Sequence, residues 1–241
     1  IFSLSAENFW HFLYDSLPRI YSTILARPTQ KLTVLVPNSL SKTHREFLEC
    51  VLPANFNLIY IQTGTWVRVE RLVMPSFVSR MENGFLPSPY YEYLRNCVFK
   101  KLDLSPIEKP TERIYISRAN AKHRRVLNED QVIKYLAKFG FKTVFLENLS
   151  FREQVELFIR AEIIVAPHGA GLGTTIFSGK IKIFVLYPES SPTPFFFTQF
   201  KGLGQEHYFL THGKFDEDAD FEVDLSKFEQ VLQEQIKLQP C

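Results

Sequence analysis

Apolar and polar positions alternate along this chain in two rhythms. Short β-branched or apolar runs at Leu32–Val36, Leu58–Ile61, Arg68–Val73, Ile114–Ser117, Thr143–Leu146, Ile163–Ala166 and Ile183–Tyr187 each predict a strand. Longer stretches with a helical period lie between and around them: Ala6–Leu25, Ser41–Leu52, Tyr90–Lys101, Glu129–Phe139, Phe151–Arg160, Gly171–Phe177 and Ser226–Lys237. Strands separated by helices of this length predict βαβ units, and so an α/β fold with parallel sheets. Asn128 with Gln131, Ser150 with Glu153 and Ser226 with Glu229 each fit a capping box at a helix start. The proline-bearing stretch Leu104–Pro110 has no period and predicts a linker, dividing residues 1–105 from 106–241 as two αβα lobes.

Composition then narrows the class. The 241 residues are 45% hydrophobic and 22% charged, which excludes a disordered or collagen-like chain. No apolar run approaches the ~20 residues that span a bilayer, so the segment reads as soluble or peripheral. A net charge of +2 makes no case for nucleic acid. Cys50, Cys97 and Cys241 are too sparse for a disulfide framework or a zinc cluster, and this leans towards a reducing, cytoplasmic compartment. Asn148-Leu149-Ser150 fits a glycosylation acceptor pattern without deciding the compartment. The chain opens on Ile1 and reads as a fragment. Among its 23 phenylalanines, Phe195-Phe196-Phe197 suit either core packing or a sugar-stacking surface.

Three constellations carry candidate chemistry. In the first, Glu162–Phe177, an apolar strand runs into His168 and the alternating glycines Gly169, Gly171 and Gly173, then into a helix. Glycines admit a close ligand, and the unpaired N–H groups of a helix start suit a phosphate or diphosphate. Ala170, Leu172 and Thr174 belong to the same turn; the plain alternative is a tight strand–helix connection. The second is Arg113–Arg125, which holds Arg113, Arg118, Arg124, Arg125, Lys122 and His123 and no acid. Guanidinium forks match phosphate oxygens and supply charge that a metal supplies elsewhere, unless this is a solvated basic loop.

The third is the first helix. Asn8, His11, Asp15, Arg19 and Ser22 form one stripe opposite Phe9, Leu13, Leu17, Ile20 and Ile24. His11 and Asp15 are i,i+4 neighbours, and a carboxylate beside an imidazole makes a general base. A solvent-facing polar stripe is the alternative. Pro18 removes the bond to the Tyr14 carbonyl and is expected to kink the helix.

Other patterns fail. Asp216-Glu217-Asp218-Ala219-Asp220 contains two overlapping Asp-x-Asp pairs but follows no buried strand, so a solvated acidic loop is expected. As a calcium loop it has Phe221 where Gly is needed and Lys227 where Glu is needed. His168-Gly169-Ala170-Gly171 resembles a lipase oxyanion loop, yet no Gly-x-Ser-x-Gly supplies a nucleophile. There is no His-Glu-x-x-His pattern for zinc.

Taken in order, these pieces resemble the family 61 glycosyltransferases. The matching residues are Asn8-Phe9-Trp10-His11-Phe12-Leu13-Tyr14-Asp15 with Leu17-Pro18-Arg19, and then Arg113-Ile114-Tyr115-Ile116-Ser117-Arg118. Arg124-Arg125-Val126-Leu127-Asn128-Glu129, Gly140-Phe141, Leu149–Gln154, Ala161 and Pro167–Leu172 complete the set, which covers nearly the whole chain. The resemblance implies a GT-B fold, with two Rossmann-like lobes facing across a cleft and the nucleotide sugar held mainly by the C-terminal one. It implies inversion, no cofactor and no obligatory metal. The expected partners are a nucleotide diphosphate sugar, in the first place a UDP-sugar, and a hydroxyl on a glycan, lipid-linked or protein acceptor. Peripheral membrane association stays open, and nucleic acid is not expected.

In that scheme His168 and the N–H groups of Gly169, Ala170, Gly171 and Leu172 hold the diphosphate, with Thr174 behind them. Arg118, Arg124 and Arg125 neutralise the leaving group. Asp15 is favoured as the base, with His11 as its partner or as an acceptor contact. Bacterial members of the family make surface polysaccharides from the cytoplasm and eukaryotic ones work in the secretory lumen; the cysteine usage favours the former. Two departures stand out: Gly173-Thr174 where the family usually has Thr-Asn, and Val185 where it usually has Glu. Two alternatives remain. One is a non-catalytic binding module. The other is a dinucleotide-dependent oxidoreductase, with Gly169, Gly171 and Gly173 about 20 residues ahead of Glu189 and Thr174 in place of the last Gly.

Overall fold

The computed structural model describes residues 2, 5–62, 64–78, 84–189, 195–212 and 216–236. The chain forms two compact units: Ile1–Ser105 with Pro194–Leu203, and Pro106–Thr193 with Gly204–Cys241. Among the described residues no helix is long and apolar enough to cross a membrane.

In the first unit, β1 (Leu32–Pro37) and β2 (Phe56–Ile61) pair in parallel, Leu32 opposite Phe56 and Pro37 opposite Ile61. The helix Lys42–Val51 joins them, capped by the Ser41 hydroxyl. The expected strand Arg68–Val73 does not form. That stretch is irregular, with bends at Glu70 and Arg71, Arg68–Leu72 are exposed, and a cavity of about 350 Å³ is lined by both this stretch and β1. An alternating run becomes a strand only when a neighbour takes its N–H groups and one face is buried.

The first helix starts at Phe9, capped by the Asn8 carboxamide, and continues to Ala26. Its expected kink takes the form of a π turn at Phe12–Ser16, in which the Leu17 N–H reaches the Phe12 carbonyl. The wide turn lies just ahead of Pro18, which has no N–H to return to Tyr14, and such turns recur at functional sites. Aromatic packing closes the unit around this helix. Trp10 stacks on Tyr14 with centroids 4.9 Å apart, lies 5.3 Å from Phe195 and donates its indole N–H to Gln199 at 2.8 Å. Gln199 belongs to the helix Phe195–Gly202, which the periodicity does not reveal. Its Phe196 and Phe200 are buried, so of the clustered Phe195-Phe196-Phe197 one is core, Phe195 is half-buried and Phe197 lies outward beneath Lys201.

The second unit is one five-stranded parallel sheet. Its strands are β3 (Glu112–Ile116), β4 (Phe141–Val144), β5 (Ala161–Pro167), β6 (Lys182–Pro188) and β7 (Glu206–His212), in the spatial order β4-β3-β5-β6-β7. β7 is an addition to the sequence reading. Tyr115, Ile163, Val165, Phe184 and Leu186 share one face with Val132 and Leu136 of the helix Glu129–Ala137 and Phe228 and Leu232 of the helix Leu225–Ile236. Ile164, Val185 and Tyr187 are buried as well, as expected of parallel strands covered on both sides. Ser150 and Glu153 form the expected capping box on the helix Phe151–Arg160. The other two boxes do not form. Asn128 instead exchanges both of its amide hydrogen bonds with the Val223 backbone, and Asp224, not Ser226, accepts from the Lys227 N–H.

Candidate functional site

The strand order places a topological switch point in the second unit. From β3 the chain crosses to β4 on one side and then to β5 on the other, so the loops after β3 and β5 part and leave a crevice. A cavity of about 290 Å³ lies there, lined by Ser117, Arg118, Leu146, Glu147, Pro167 and Gly169 among others. That volume is at the small end of ligand sites.

Two carboxylates order the loops around it, and one of them, Glu147, lines the cavity. Glu129 accepts from Tyr115 and Ser117 hydroxyls at 2.9 Å, and the Ser117 oxygen in turn accepts the Ala119 N–H at 3.1 Å. Glu147 accepts from the Asn120 amide at 2.9 Å. Arg118 leaves this framework over Gly169, where an added Cβ would strike its guanidinium. Gly169 is therefore required by close approach rather than by an unusual φ. Gly171 meets the same demand against Leu146 Cδ1, 2.6 Å from where its Cβ would stand.

After Gly169 the chain forms a 3₁₀ helix, Ala170–Phe177, where an α-helix was expected from Gly171. The difference limits the donors. The Leu172 N–H closes the first turn on the Gly169 carbonyl at 3.1 Å, so in this geometry the N–H groups of Gly169, Ala170 and Gly171 are those outside the helical ladder. Thr174 is fully buried beneath the turn, with no partner for its hydroxyl among the described residues.

The positive groups converge at His168. Arg124 donates to His168 Nδ1 at 2.5 Å, and the ring stacks on Tyr187 with centroids 4.8 Å apart. A guanidinium cannot accept, so Nδ1 carries no proton and Nε2 does. Burial, then Arg124 and Arg118, drives the His168 pKa down to about 3, which makes it a neutral imidazole throughout the physiological range. Arg118 falls to about 10, chiefly through burial and then through Arg124, while Glu147 and Asp220 oppose the change. Arg118 donates Nη2 to the His123 carbonyl at 2.9 Å, and its buried Nε has no acceptor among the described residues. Two crowded guanidiniums, one of them with an unsatisfied donor, suit an anion of more than one charge.

Arg125 is placed differently. Its Nε lies 2.6 Å and its Nη2 2.5 Å from Asp220 Oδ2, and its backbone N–H is 2.7 Å from Oδ1. Asp220 is fully buried, which corrects the expectation of a solvated acidic loop: the segment packs onto the basic one. Burial alone would raise the Asp220 pKa, but the Arg125 bonds outweigh it and hold the carboxyl below its usual range. Its oxygens are committed to Arg125, which removes it from any Asp-x-Asp metal pair. Among the described residues, no group of three or more His, Cys, Asp or Glu side chains is placed to hold a metal ion.

In the first unit, His11 Nδ1 and Asp15 Oδ2 are 2.7 Å apart. The Asp15 side chain is 1% exposed and that of His11 26%, so the imidazole is the member open to solvent. Burial raises the Asp15 pKa despite the opposing hydrogen bond from His11. Beyond the exposed Asn8, the rest of the stripe is not a solvent face. Arg19 is buried, donating Nε to the Pro75 carbonyl at 2.8 Å and lying over Phe77, while Ser22 bonds Tyr90 at 3.0 Å.

The second unit is thus an open parallel α/β sheet with a crevice at its switch point, the place where sheets of this class hold ligands, and Arg118 reaches into it. Comparison with known proteins is more specific: the sequence model of the Glycosyltransferase 61 family matches residues 9–185, and the chain belongs to that family. It is also similar to the Drosophila melanogaster EGF domain-specific O-linked N-acetylglucosamine transferase, at 35% identity over 94 residues. That alignment covers 36% of this chain and 18% of the relative, so the chain spans less than a fifth of that protein.

Proposed function

We propose that the chain is a glycosyltransferase of GT-B architecture, its two units serving as the two lobes, which moves a sugar from a UDP-sugar to a hydroxyl with inversion and without an obligatory metal. The observation that carries this reading is the Arg118–Arg124–His168 cluster at the switch point, within a chain of the Glycosyltransferase 61 family. In this reading Arg118 and Arg124 balance the charge of the diphosphate, and the N–H groups of Gly169, Ala170 and Gly171 with Nε2 of His168 donate to its oxygens. Charge stabilisation of this kind is worth ~3–4 kcal/mol per well-placed donor.

The exposure of the dyad favours His11 over Asp15 as the base. Buried Asp15 accepts from Nδ1 and keeps Nε2 unprotonated, so that Nε2 takes the proton of the acceptor hydroxyl. The acceptor oxygen bonds to the anomeric carbon from the face opposite the phosphate. The bond from that carbon to the phosphate oxygen breaks, and its electron pair leaves with the nucleoside diphosphate. The named activity of the Drosophila relative makes UDP-N-acetylglucosamine the first donor to test and a protein hydroxyl the first acceptor class. The test is transfer measured with that donor and with UDP-xylose, in EDTA and after Mn²⁺ addition. Metal-independent product supports the scheme. Loss in EDTA that Mn²⁺ restores contradicts its metal-free part.

A further inference from the structure

The acidic segment at 216–220 is where the sequence and the site part company. It was expected in solvent, yet its last carboxylate is fully buried against the basic loop. Three bonds fasten that loop to Asp220: backbone N–H and two guanidinium nitrogens, all from Arg125. The neighbouring Arg124 N–H donates to the Asp218 carbonyl at 3.1 Å, and His123 Nδ1 meets Asp218 Oδ1 at 3.2 Å. The segment itself is held by Asp216, whose Oδ1 accepts the N–H groups of Asp218 and Asp220. Clamped between these points, Arg124 has φ +59°, a left-handed conformation that a non-glycine residue keeps only when its surroundings impose it. From that backbone its guanidinium reaches His168, and from the same loop the His123 carbonyl receives Arg118.

We propose that Asp220 is the positioning residue of the anion site: it neutralises and anchors Arg125, and through the strained Arg124 it aims Arg124 and Arg118 at the ligand. Arg125 is then an arm of the scaffold and not a ligand of the diphosphate. This rests on reading the cavity as the nucleoside diphosphate pocket and adds the device that shapes it. Charge arithmetic agrees with the division: with Arg125 paired to Asp220, two guanidiniums remain, matching the two negative charges of the diphosphate in a nucleotide sugar.

The test is calorimetric titration of the folded chain with UDP, GDP and CMP. In Asp220→Asn the new amide turns N–H groups towards Arg125, donor against donor. The expected result is a dissociation constant raised about tenfold or more, the size of one lost charge-assisted contact, at unchanged stoichiometry. A role in folding alone would lower the stoichiometry and leave the dissociation constant of the folded fraction unchanged, and that result overturns the proposal. The double variant Asp220→Asn with Arg125→Gln keeps a neutral hydrogen-bonded pair and the backbone bond, and also covers the case in which the single variant fails to fold. It should bind within about threefold of the natural chain, because exchanging both partners of an ion pair is close to neutral. Binding as weak as that of Arg124→Ala in this double variant shows Arg125 to be a ligand and overturns the proposal. A natural chain that binds none of the three nucleotides overturns the donor reading and this inference with it; binding by the natural chain that Asp220→Asn matches overturns the inference alone.

Discussion

Arg124 hands a hydrogen bond to His168, so a cation fixes the tautomer of a neutral imidazole 44 residues away in sequence. This pairing sets the polarity of the site: Nδ1 accepts from Arg124, and Nε2 carries the ring proton. Arg124→Ala removes both a positive charge and that tautomer lock. Affinity for UDP should fall by roughly tenfold to a hundredfold, with a shallower dependence on salt, as read by calorimetry at two ionic strengths. Unchanged affinity would mean that the anion binds elsewhere.

Gly169→Ala tests the close approach. A methyl group there meets the Arg118 guanidinium, and the side chain has to swing out of the cavity. UDP should weaken about tenfold. The melting temperature should move by only a few degrees, since the displaced group is the end of a flexible side chain. A large loss of stability without loss of affinity would place the strain in the backbone instead.

For the dyad, His11→Ala and Asp15→Asn should each lower kcat for transfer, by roughly 10²–10⁴ for the base itself. His11→Ala should be the worse of the two, because Asp15→Asn leaves an imidazole in place with a disturbed tautomer. Equal UDP affinity in all three proteins, measured in parallel, separates this chemistry from donor binding. Near-full rates in both variants would remove the dyad from the mechanism.

Acid stability follows from three histidines, His44 and His212 buried and His168 half-buried. Burial holds the pKa of His168 down at about 3 and those of His44 and His212 at about 4, against an ordinary 6.5. Below pH 6.5 the unfolded chain takes up protons that the folded one refuses, so stability is complete above that pH and falls as the pH drops towards 4. The lowered carboxyl of Asp220 acts with the same sign at more acid pH, while the raised carboxyl of Asp15 opposes it. Melting temperatures across pH 4–7 should therefore decrease steadily towards acid. A flat profile would contradict the neutral burial of these rings.

Much of this architecture was legible in the apolar rhythm, and the gaps have physical causes. Ile163–Ala166 and Ile183–Tyr187 are continuous apolar runs because parallel strands bury both faces. Glu206–His212 escapes because β7 is an edge strand, with Glu206 exposed and His207, Tyr208 and Phe209 half-buried, so no clean alternation survives. The helix Phe195–Gly202 is hydrophobic without a polar face. Its assignment rests on distant partners such as Trp10, which no local pattern reports. Ala170–Phe177 winds as 3₁₀ where glycines and the β-branched Thr174, Thr175 and Ile176 weaken the α form. At the site, residue types and order exposed His168, Arg118 and the dyad. The pairing of Arg125 with Asp220, 95 residues on, was hidden because an acidic run reads as solvated until tertiary structure supplies its cation.

Gln199→Leu measures how far that distant helix supports the first unit. It strands the buried indole N–H of Trp10, which should cost about 1–3 kcal/mol. A lower urea midpoint at unchanged m-value is the expected signature. No shift would mean that the helix contributes little to the packing around Trp10.

The central claim is tested most directly by following a UDP-sugar by proton NMR in the presence of the chain, with and without hydroxyl acceptors. The account predicts release of UDP and a product whose anomeric configuration is opposite to that of the donor, with turnover slowed by roughly 10²–10⁴ in His11→Ala and donor affinity weakened by roughly tenfold to a hundredfold in Arg124→Ala. Binding of UDP without any turnover across UDP-, GDP- and CMP-sugars would contradict it and leave a nucleotide-binding protein without transferase activity.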